Sequence, residues 1–152
     1  MVPASAARVE SRRMKILVAV DGSKASLDAV RNVIDHAGEY RNRPAVELVT
    51  VHRAVPRIGA KVGKSQLERY YREEGEAALA EAKKLLDRAG IPYREQVLIG
   101  EPAEMIVKHA GKTGCDLVAV GAKGRGALGD MLLGSTVTKL LHLSDMPVLL
   151  VK

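Results

Sequence analysis

The sequence contains no phenylalanine or tryptophan, and its 152 residues include only four tyrosines. Proteins that bind single-stranded nucleic acid stack successive bases on spaced aromatic side chains. Such a platform is poorly supported here, although a net charge of +6 would suit a polyanion. Helix-turn-helix and zinc-finger spacings are also missing, so a nucleic-acid partner is not expected. We interpret the basic excess as a solvated face that helps anionic ligands to approach.

Cysteine is equally scarce, since Cys115 is the only one. A single thiol excludes an internal disulfide framework and is typical of a protein of the reducing cytoplasm. Cys115 precedes the apolar run 117–120, which predicts a small buried hydrophobic residue instead of a reactive thiol. The four histidines show no HxH or HExxH spacing, so no metal site built from protein ligands is expected.

Long apolar runs are missing too: no stretch approaches the roughly 20 residues that a membrane span requires. Residues 1–14 carry basic side chains without an apolar core, which is unlike a secretory signal, and we expect a disordered tail there. The remaining residues, 15–152, have the length of one domain.

Short apolar runs alternate with segments of helical periodicity. Ser23 is expected to cap the first helix, and Ser65 with Glu68 matches a capping box for the second. The predicted strands are residues 15–20, 46–52, 93–100, 116–121 and 147–151, with one helix between each consecutive pair. Strict alternation implies parallel strands joined by right-handed crossovers. The expected fold is α/β, a single open five-stranded parallel sheet with helices on both faces.

Five glycines follow the apolar run 117–120, and the last of them, Gly134, stands at the start of helix four. Gly124, Gly126 and Gly129 spell GxGxxG, but a dinucleotide fingerprint follows the first strand and needs an acidic residue at the end of the next. Residues 129–135 differ from a Walker A loop because Ser135 stands where the phosphate-binding lysine must be. Both interpretations are rejected.

A third spacing remains, in which Gly121, Gly124, Gly134 and Ser135 form the pattern G-x2-G-x9-G-[ST]. Together with the order of elements, this pattern resembles the signature of the universal stress protein family, specifically its ATP-binding branch. The resemblance covers residues 15–152. It implies an adenine nucleotide alpha hydrolase-like fold with strand order 3-2-1-4-5 and an ATP-binding role in the stress response.

General physics supports a ligand at this place. Open α/β sheets bind ligands beyond the carboxyl ends of the strands where the winding reverses. The strand order implied by the resemblance places this point between strands one and four. Gly121 and Gly124 would let the backbone approach a ligand without a Cβ atom in the way. Gly134 and Ser135 open a helix, whose free amides and positive dipole end attract phosphate.

The resemblance also implies a role for each part of the site. Asp21 and Gly121 would lie against the ribose, backbone groups at the end of strand two would read adenine, and the other motif residues would hold the phosphates and, through them, Mg²⁺. The expected binding residues are Ala19, Val20, Asp21, Arg53, Val120, Gly121, Lys123, Gly124, Gly134, Ser135 and Thr136.

The chain departs from the family pattern at three positions. Arg53 stands where valine is common, which keeps the backbone contacts but changes the pocket wall. Lys123 replaces a frequent histidine or arginine and keeps the positive charge. Val137 stands where serine or threonine is frequent, which affects the contact to the terminal phosphate.

Alternatives remain open. No catalytic constellation is visible, so a nucleotide-binding regulatory protein is favoured over an enzyme, although a bound metal ion could support slow ATP hydrolysis. The rival from another class is a dimeric interaction scaffold whose glycine loop is empty. Asp21 could simply cap the first helix, and Ser135 could simply be an N-cap. The resemblance further implies a homodimer through strand five, which runs from Pro147 to Val151.

Overall fold

The computed structural model of the chain describes residues 12–56, 62–123 and 133–152. Within these ranges strands and helices alternate as β1 (Lys15–Ala19), α1 (Lys24–Asp35), β2 (Ala45–His52), α2 (Lys64–Ala89), β3 (Tyr93–Ile99), α3 (Pro102–Thr113), β4 (Leu117–Gly121), α4 (Ser135–Leu143) and β5 (Val148–Val151). A short 3-10 turn, Ala37–Glu39, follows α1.

The strands form one sheet in the order β3-β2-β1-β4-β5, and every neighbouring pair is parallel. This confirms the predicted fold class and strand order. The chain winds outward from β1 through β2 to β3, then returns to the other side of β1 to add β4 and β5. The carboxyl ends of β1 and β4 therefore border the crevice where the winding reverses.

The core lies in two layers, one on each face of the sheet. Helices α1 and α2 cover one face, and helices α3 and α4 cover the other. Consecutive residues of β1 alternate between these layers, so Ile16 and Val18 join the first cluster and Leu17 the second. Burial on both faces explains why β1 reads as a continuous apolar run. None of the helices in the described ranges is both long and apolar enough to cross a membrane.

Helix termini follow the sequence signals at most positions. The Ser23 side chain accepts a hydrogen bond from the Ser26 N–H and caps α1, as predicted. The capping box predicted for α2 is wrong, because α2 begins at Lys64 and its N-cap, Gly63, lies two residues before Ser65. Ser65 therefore lies inside the first turn, where its backbone is already helical and its side chain cannot act as the N-cap.

Residues 12–14, which were expected in the disordered tail, contact the folded domain. The Arg12 guanidinium donates to the Asp116 carboxylate at 2.8 Å, and the Met14 carbonyl accepts from the Ala45 N–H at 2.9 Å. The Met14 side chain packs against the first core cluster. Residues 1–11 of the predicted tail lie outside the described residues.

Candidate functional site

A cavity of about 770 Å³ opens at the carboxyl ends of β1, β2 and β4. Its walls include ten of the predicted binding residues, namely Ala19, Val20, Asp21, Arg53, Val120, Gly121, Lys123, Gly134, Ser135 and Thr136. The remaining one, Gly124, lies outside the described residues. The position is the one at which open α/β sheets bind ligands, and the volume is that of a small-molecule site.

The cavity also has walls that sequence reasoning did not name, and they belong to both faces of the sheet. On the side of α3 and α4 the wall is apolar and contains Val51, Pro102, Ile106, Val137 and Leu140. On the side of α1 and α2 it is polar and aromatic and contains Ser26, Thr50, His52, Tyr70 and Tyr71. The switch from aliphatic to polar residues on one face of β2 is the signal that could have identified Thr50 and His52.

The turn between β1 and α1 positions Asp21 on the cavity wall. Its side-chain Oδ1 accepts a hydrogen bond from the Ser23 N–H at 2.9 Å, and its own N–H donates to Ser26 Oγ at 3.3 Å. Asp21 therefore stabilises the start of α1, which was the simpler of the two interpretations. A contact between Asp21 and a ribose remains a prediction.

Gly121 ends β4 and faces α1 at very short range. A Cβ atom added there would collide with the carbonyl group of Ala25 and lie 2.9 Å from the Ser26 amide nitrogen. Real Cβ atoms do not approach backbone this closely, so the missing side chain makes room for helix α1. The requirement for glycine at this position is thus explained by packing within the protein, whether or not a ligand lies nearby.

The N-terminus of α4 forms the wall opposite β2. Gly134 is the N-cap, with an extended ψ of 152° and no side-chain capping bond, and Ser135 is the first helical residue. The alternative that Ser135 serves as the N-cap is therefore wrong. The Gly134 N–H donates to the Ala122 carbonyl at 3.0 Å, which ties the start of α4 to the end of β4. Amides of a first helical turn have no acceptor within the helix, so they and the helix dipole can hold an anion here.

Three charged side chains meet at the rim of the cavity. Glu101 accepts hydrogen bonds from Lys139 at 3.0 Å and from Arg53 at 2.5 Å, which connects the segment after β2 with α3 and α4. The hydrogen bond from Lys139, assisted by the charge of Arg53, holds the pKa of the Glu101 carboxyl below its usual value. The Arg53 side chain is thereby paired with Glu101, and Arg53 is also one of the residues on the cavity wall.

Cys115 is not among the residues that line the cavity. Burial raises the pKa of the Cys115 thiol, which keeps it protonated and poorly nucleophilic. Among the residues that the structure describes, no group of three or more His, Cys, Asp and Glu side chains is arranged to hold a metal ion.

Comparison with known proteins gives a consistent set of matches. The model of the universal stress protein family matches residues 12–152. Universal stress protein MJ0531 of Methanocaldococcus jannaschii is 32% identical over 145 residues, which cover 94% of this chain and 84% of that protein. The solved structure of MJ0577 from the same organism superposes with a TM-score of 0.73 at 29% identity and covers 91% of this chain and 94% of its own. A universal stress protein solved in complex with cAMP superposes with a TM-score of 0.69 at 25% identity and covers 93% and 99%, respectively.

Proposed function

Because this chain belongs to the universal stress protein family, we propose that it is a regulatory protein that binds ATP in the cavity described above. The observation that carries the proposal is the meeting of the N-terminus of α4, Lys123 and the ends of β1 and β2 around one space of nucleotide size. The relative solved with cAMP supports an adenine nucleotide.

The walls of the cavity suit the parts of a nucleotide in order. The first-turn amides of α4 and the Lys123 ammonium would hold the phosphates, and bound Mg²⁺ would neutralise part of their charge. The ribose would lie near Asp21. The base would lie at the end of β2, where the Arg53 backbone N–H and C=O have no backbone partner within the described part of the chain.

We propose binding and signalling in the cytoplasm, with no rapid turnover of ATP. Asp21 is the only carboxylate on the described cavity wall, and it already accepts the Ser23 N–H. A general base needs a carboxylate or imidazole within reach of the attacking water. The imidazole on this wall belongs to His52, at the end of β2, where the base and not the phosphates would lie. Slow hydrolysis by a water molecule bound to Mg²⁺ is compatible with this site.

Replacing Ser135 with proline should weaken ATP binding at least tenfold while the fold survives. Proline is favourable at the first helical position, because its fixed φ suits the helix and its missing N–H has no acceptor within the helix. Gly134, with its ψ of 152°, already has the extended backbone that a following proline requires. The substitution therefore removes one phosphate-binding amide selectively, and titration calorimetry with ATP and Mg²⁺ measures the effect.

Ser135→Ala is the matched control, because it removes the hydroxyl and keeps the amide. We expect it to weaken binding by only a few-fold. Equal ATP affinity in the wild type and Ser135→Pro would exclude α4 as the phosphate site. Mass spectrometry of nucleotide released from the denatured wild-type protein gives an independent check on which nucleotide is bound.

We further propose a homodimer through β5, which lies at the edge of the sheet beyond β4. The Pro147 carbonyl accepts a hydrogen bond from the Val118 N–H, and the Val151 carbonyl accepts one from the Ala122 N–H, so these two residues of the edge face β4. Backbone groups of successive residues in a strand point to opposite sides, so those of Val148 and Leu150 point to the open edge. An uncharged open edge invites pairing with another strand. Antiparallel pairing of two copies across a two-fold axis would close the assembly.

Val148→Pro should raise the dissociation constant of the dimer about thirtyfold, because the two copies together lose two hydrogen bonds. Proline is tolerated at the first residue of an edge strand when its nitrogen faces outward, so the pairing with β4 is kept. Each copy loses one outward N–H, and a typical hydrogen bond contributes about 1 kcal/mol. Light scattering over a concentration series measures the shift, with the melting temperature as the control for folding. A wild-type protein that stays monomeric at micromolar concentration would contradict the dimer.

A further inference from the structure

The polar side of the cavity contains two buried atoms that lack hydrogen-bond partners in the described part of the chain. These are Oγ1 of Thr50 and Nε2 of His52. Thr50 is 1% exposed, so water does not replace the missing partner from the surface. Because buried polar groups in native proteins are nearly always paired, this arrangement requires an explanation.

Both atoms belong to one face of β2, at the point where the strand reaches the cavity. Thr50 and His52 are two residues apart and therefore share a face with Val46 and Leu48, which belong to the core cluster under α1 and α2. The residues on this face thus change from aliphatic to hydrogen-bonding exactly where they begin to line the cavity. Both residues lie on the cavity wall, so rotation of either side chain can bring its polar atom to a ligand in the cavity.

Tyr71 of α2 also lines this side of the cavity. Tyr71 of α2 is 7% exposed, and its hydroxyl oxygen accepts a hydrogen bond from the Val55 N–H at 2.7 Å. That bond joins α2 to the segment that follows β2. The polar atoms of Thr50 and His52 are themselves buried, and a hydrogen bond made in such a place is stronger than in water.

We propose that Thr50 and His52 read the hydrogen-bonding edge of the nucleobase, an inference that rests on the proposed function. Strand β2 is separated from β4 by β1, which places it about 10 Å from the phosphate-binding end at roughly 4.8 Å per strand. A nucleotide with its phosphates at α4 therefore has its base at β2. A hydroxyl can donate and accept, and an imidazole nitrogen can do either, so the pair can match an amino group and a ring nitrogen together.

If the side chains of Thr50 and His52 form hydrogen bonds with the base, the preference of the site for one base over another depends on these two residues. A site with buried polar groups matched to one ligand rejects a ligand that leaves them unpaired. We expect the wild type to prefer ATP over GTP, because the two bases present opposite donors and acceptors on this edge. Thr50→Val keeps the volume and removes the hydroxyl, so it should lower the affinity for ATP about tenfold and narrow the ratio between ATP and GTP.

The same substitution should leave the ligand-free protein as stable as the wild type or more so. The Thr50 hydroxyl has no hydrogen-bond partner among the described residues, so its removal breaks no bond, and an apolar group is more favourable at a buried position. Thr113→Val is the matched control, since the Thr113 hydroxyl donates to the His109 carbonyl at 2.7 Å and lies away from the cavity. We expect the control to lower the melting temperature and to bind ATP as the wild type does.

Titration calorimetry with ATP and GTP tests this inference. The proteins to be compared are the wild type, Thr50→Val, His52→Leu and Thr113→Val. Loss of affinity and of base selectivity in Thr50→Val supports the inference, and the same loss in a folded His52→Leu extends it to the imidazole. Unchanged affinity and selectivity in Thr50→Val overturn it, while ATP binding by the wild type still stands. A wild-type protein that binds no nucleotide overturns the proposed function and this inference with it.

Discussion

Replacing Gly121 with alanine is expected to lower the free energy of unfolding by about 2–3 kcal/mol. The added Cβ atom would collide with the Ala25 carbonyl group, which is backbone and cannot rotate away. Relief requires α1 to move off the end of β4. That movement would separate Val30 and Val33 of α1, both buried, from the core cluster beneath them. Equilibrium unfolding in urea measures the change.

Gly111→Ala provides the matched control for this prediction. Gly111 lies in α3, and no atom lies within 4 Å of the position that its Cβ would occupy. Alanine is favoured over glycine inside a helix by roughly 1 kcal/mol, so this variant should be slightly more stable than the wild type. If Gly121→Ala were as stable as Gly111→Ala, the close approach of α1 and β4 would be wrong. Loss of ATP binding in Gly121→Ala would not by itself identify a ligand contact, since the cavity wall moves with α1.

Replacing His109 with leucine should be equally damaging, at about 3 kcal/mol, because it isolates a buried carboxylate. Glu47 lies on β2 under α3, and its side chain is 6% exposed. The His109 Nε2–H donates to Glu47 Oε2 at 3.2 Å. Without this partner, Glu47 must stay buried and unpaired, take up a proton or pull the strand open, and each of these costs free energy.

The double variant Glu47→Leu with His109→Leu separates this explanation from a loss of packing. Replacing a buried polar pair with apolar residues of similar volume is often close to neutral, so the double variant should regain most of the stability. The difference between the double variant and the sum of the two single variants gives the coupling free energy. If the losses of stability in the two single variants simply added in the double variant, the burial of Glu47 would not depend on its hydrogen bond with His109. Urea unfolding of all four proteins at one pH supplies the data.

Neither Gly121 nor Glu47 was recognisable from the sequence in these roles. Gly121 was identified through a glycine spacing and assigned to a ligand, whereas its nearest neighbour is the backbone of Ala25, 96 positions earlier in the chain. Glu47 appeared only as a charged residue within a predicted strand. Its partner His109 is 62 residues away and belongs to a different predicted element.

The lining of the cavity was predictable for residues at the ends of strands, and it was not predictable for residues selected by the face of a strand. Asp21 and Gly134 were assigned because the ends of strands and the start of a helix can be read from local pattern. Thr50 and His52 were missed, because their importance arises from the side of β2 that meets the cavity. The two sides of a strand acquire different neighbours only after α2 and α3 have packed on opposite faces of the sheet.

The sequence by itself determined the order of the strands and helices, the parallel sheet and which strand ends border the cavity. These features follow from local periodicity, from residues such as Ser23 at the start of α1, and from the rule that crossovers are right-handed. Only the tertiary structure decided which side chains share the cavity, which glycine a neighbouring helix requires and which buried charges are paired. The physical reason is that such contacts join residues that are far apart in the chain. The number of positions between the two partners follows no periodic pattern, so it cannot be recognised in the sequence.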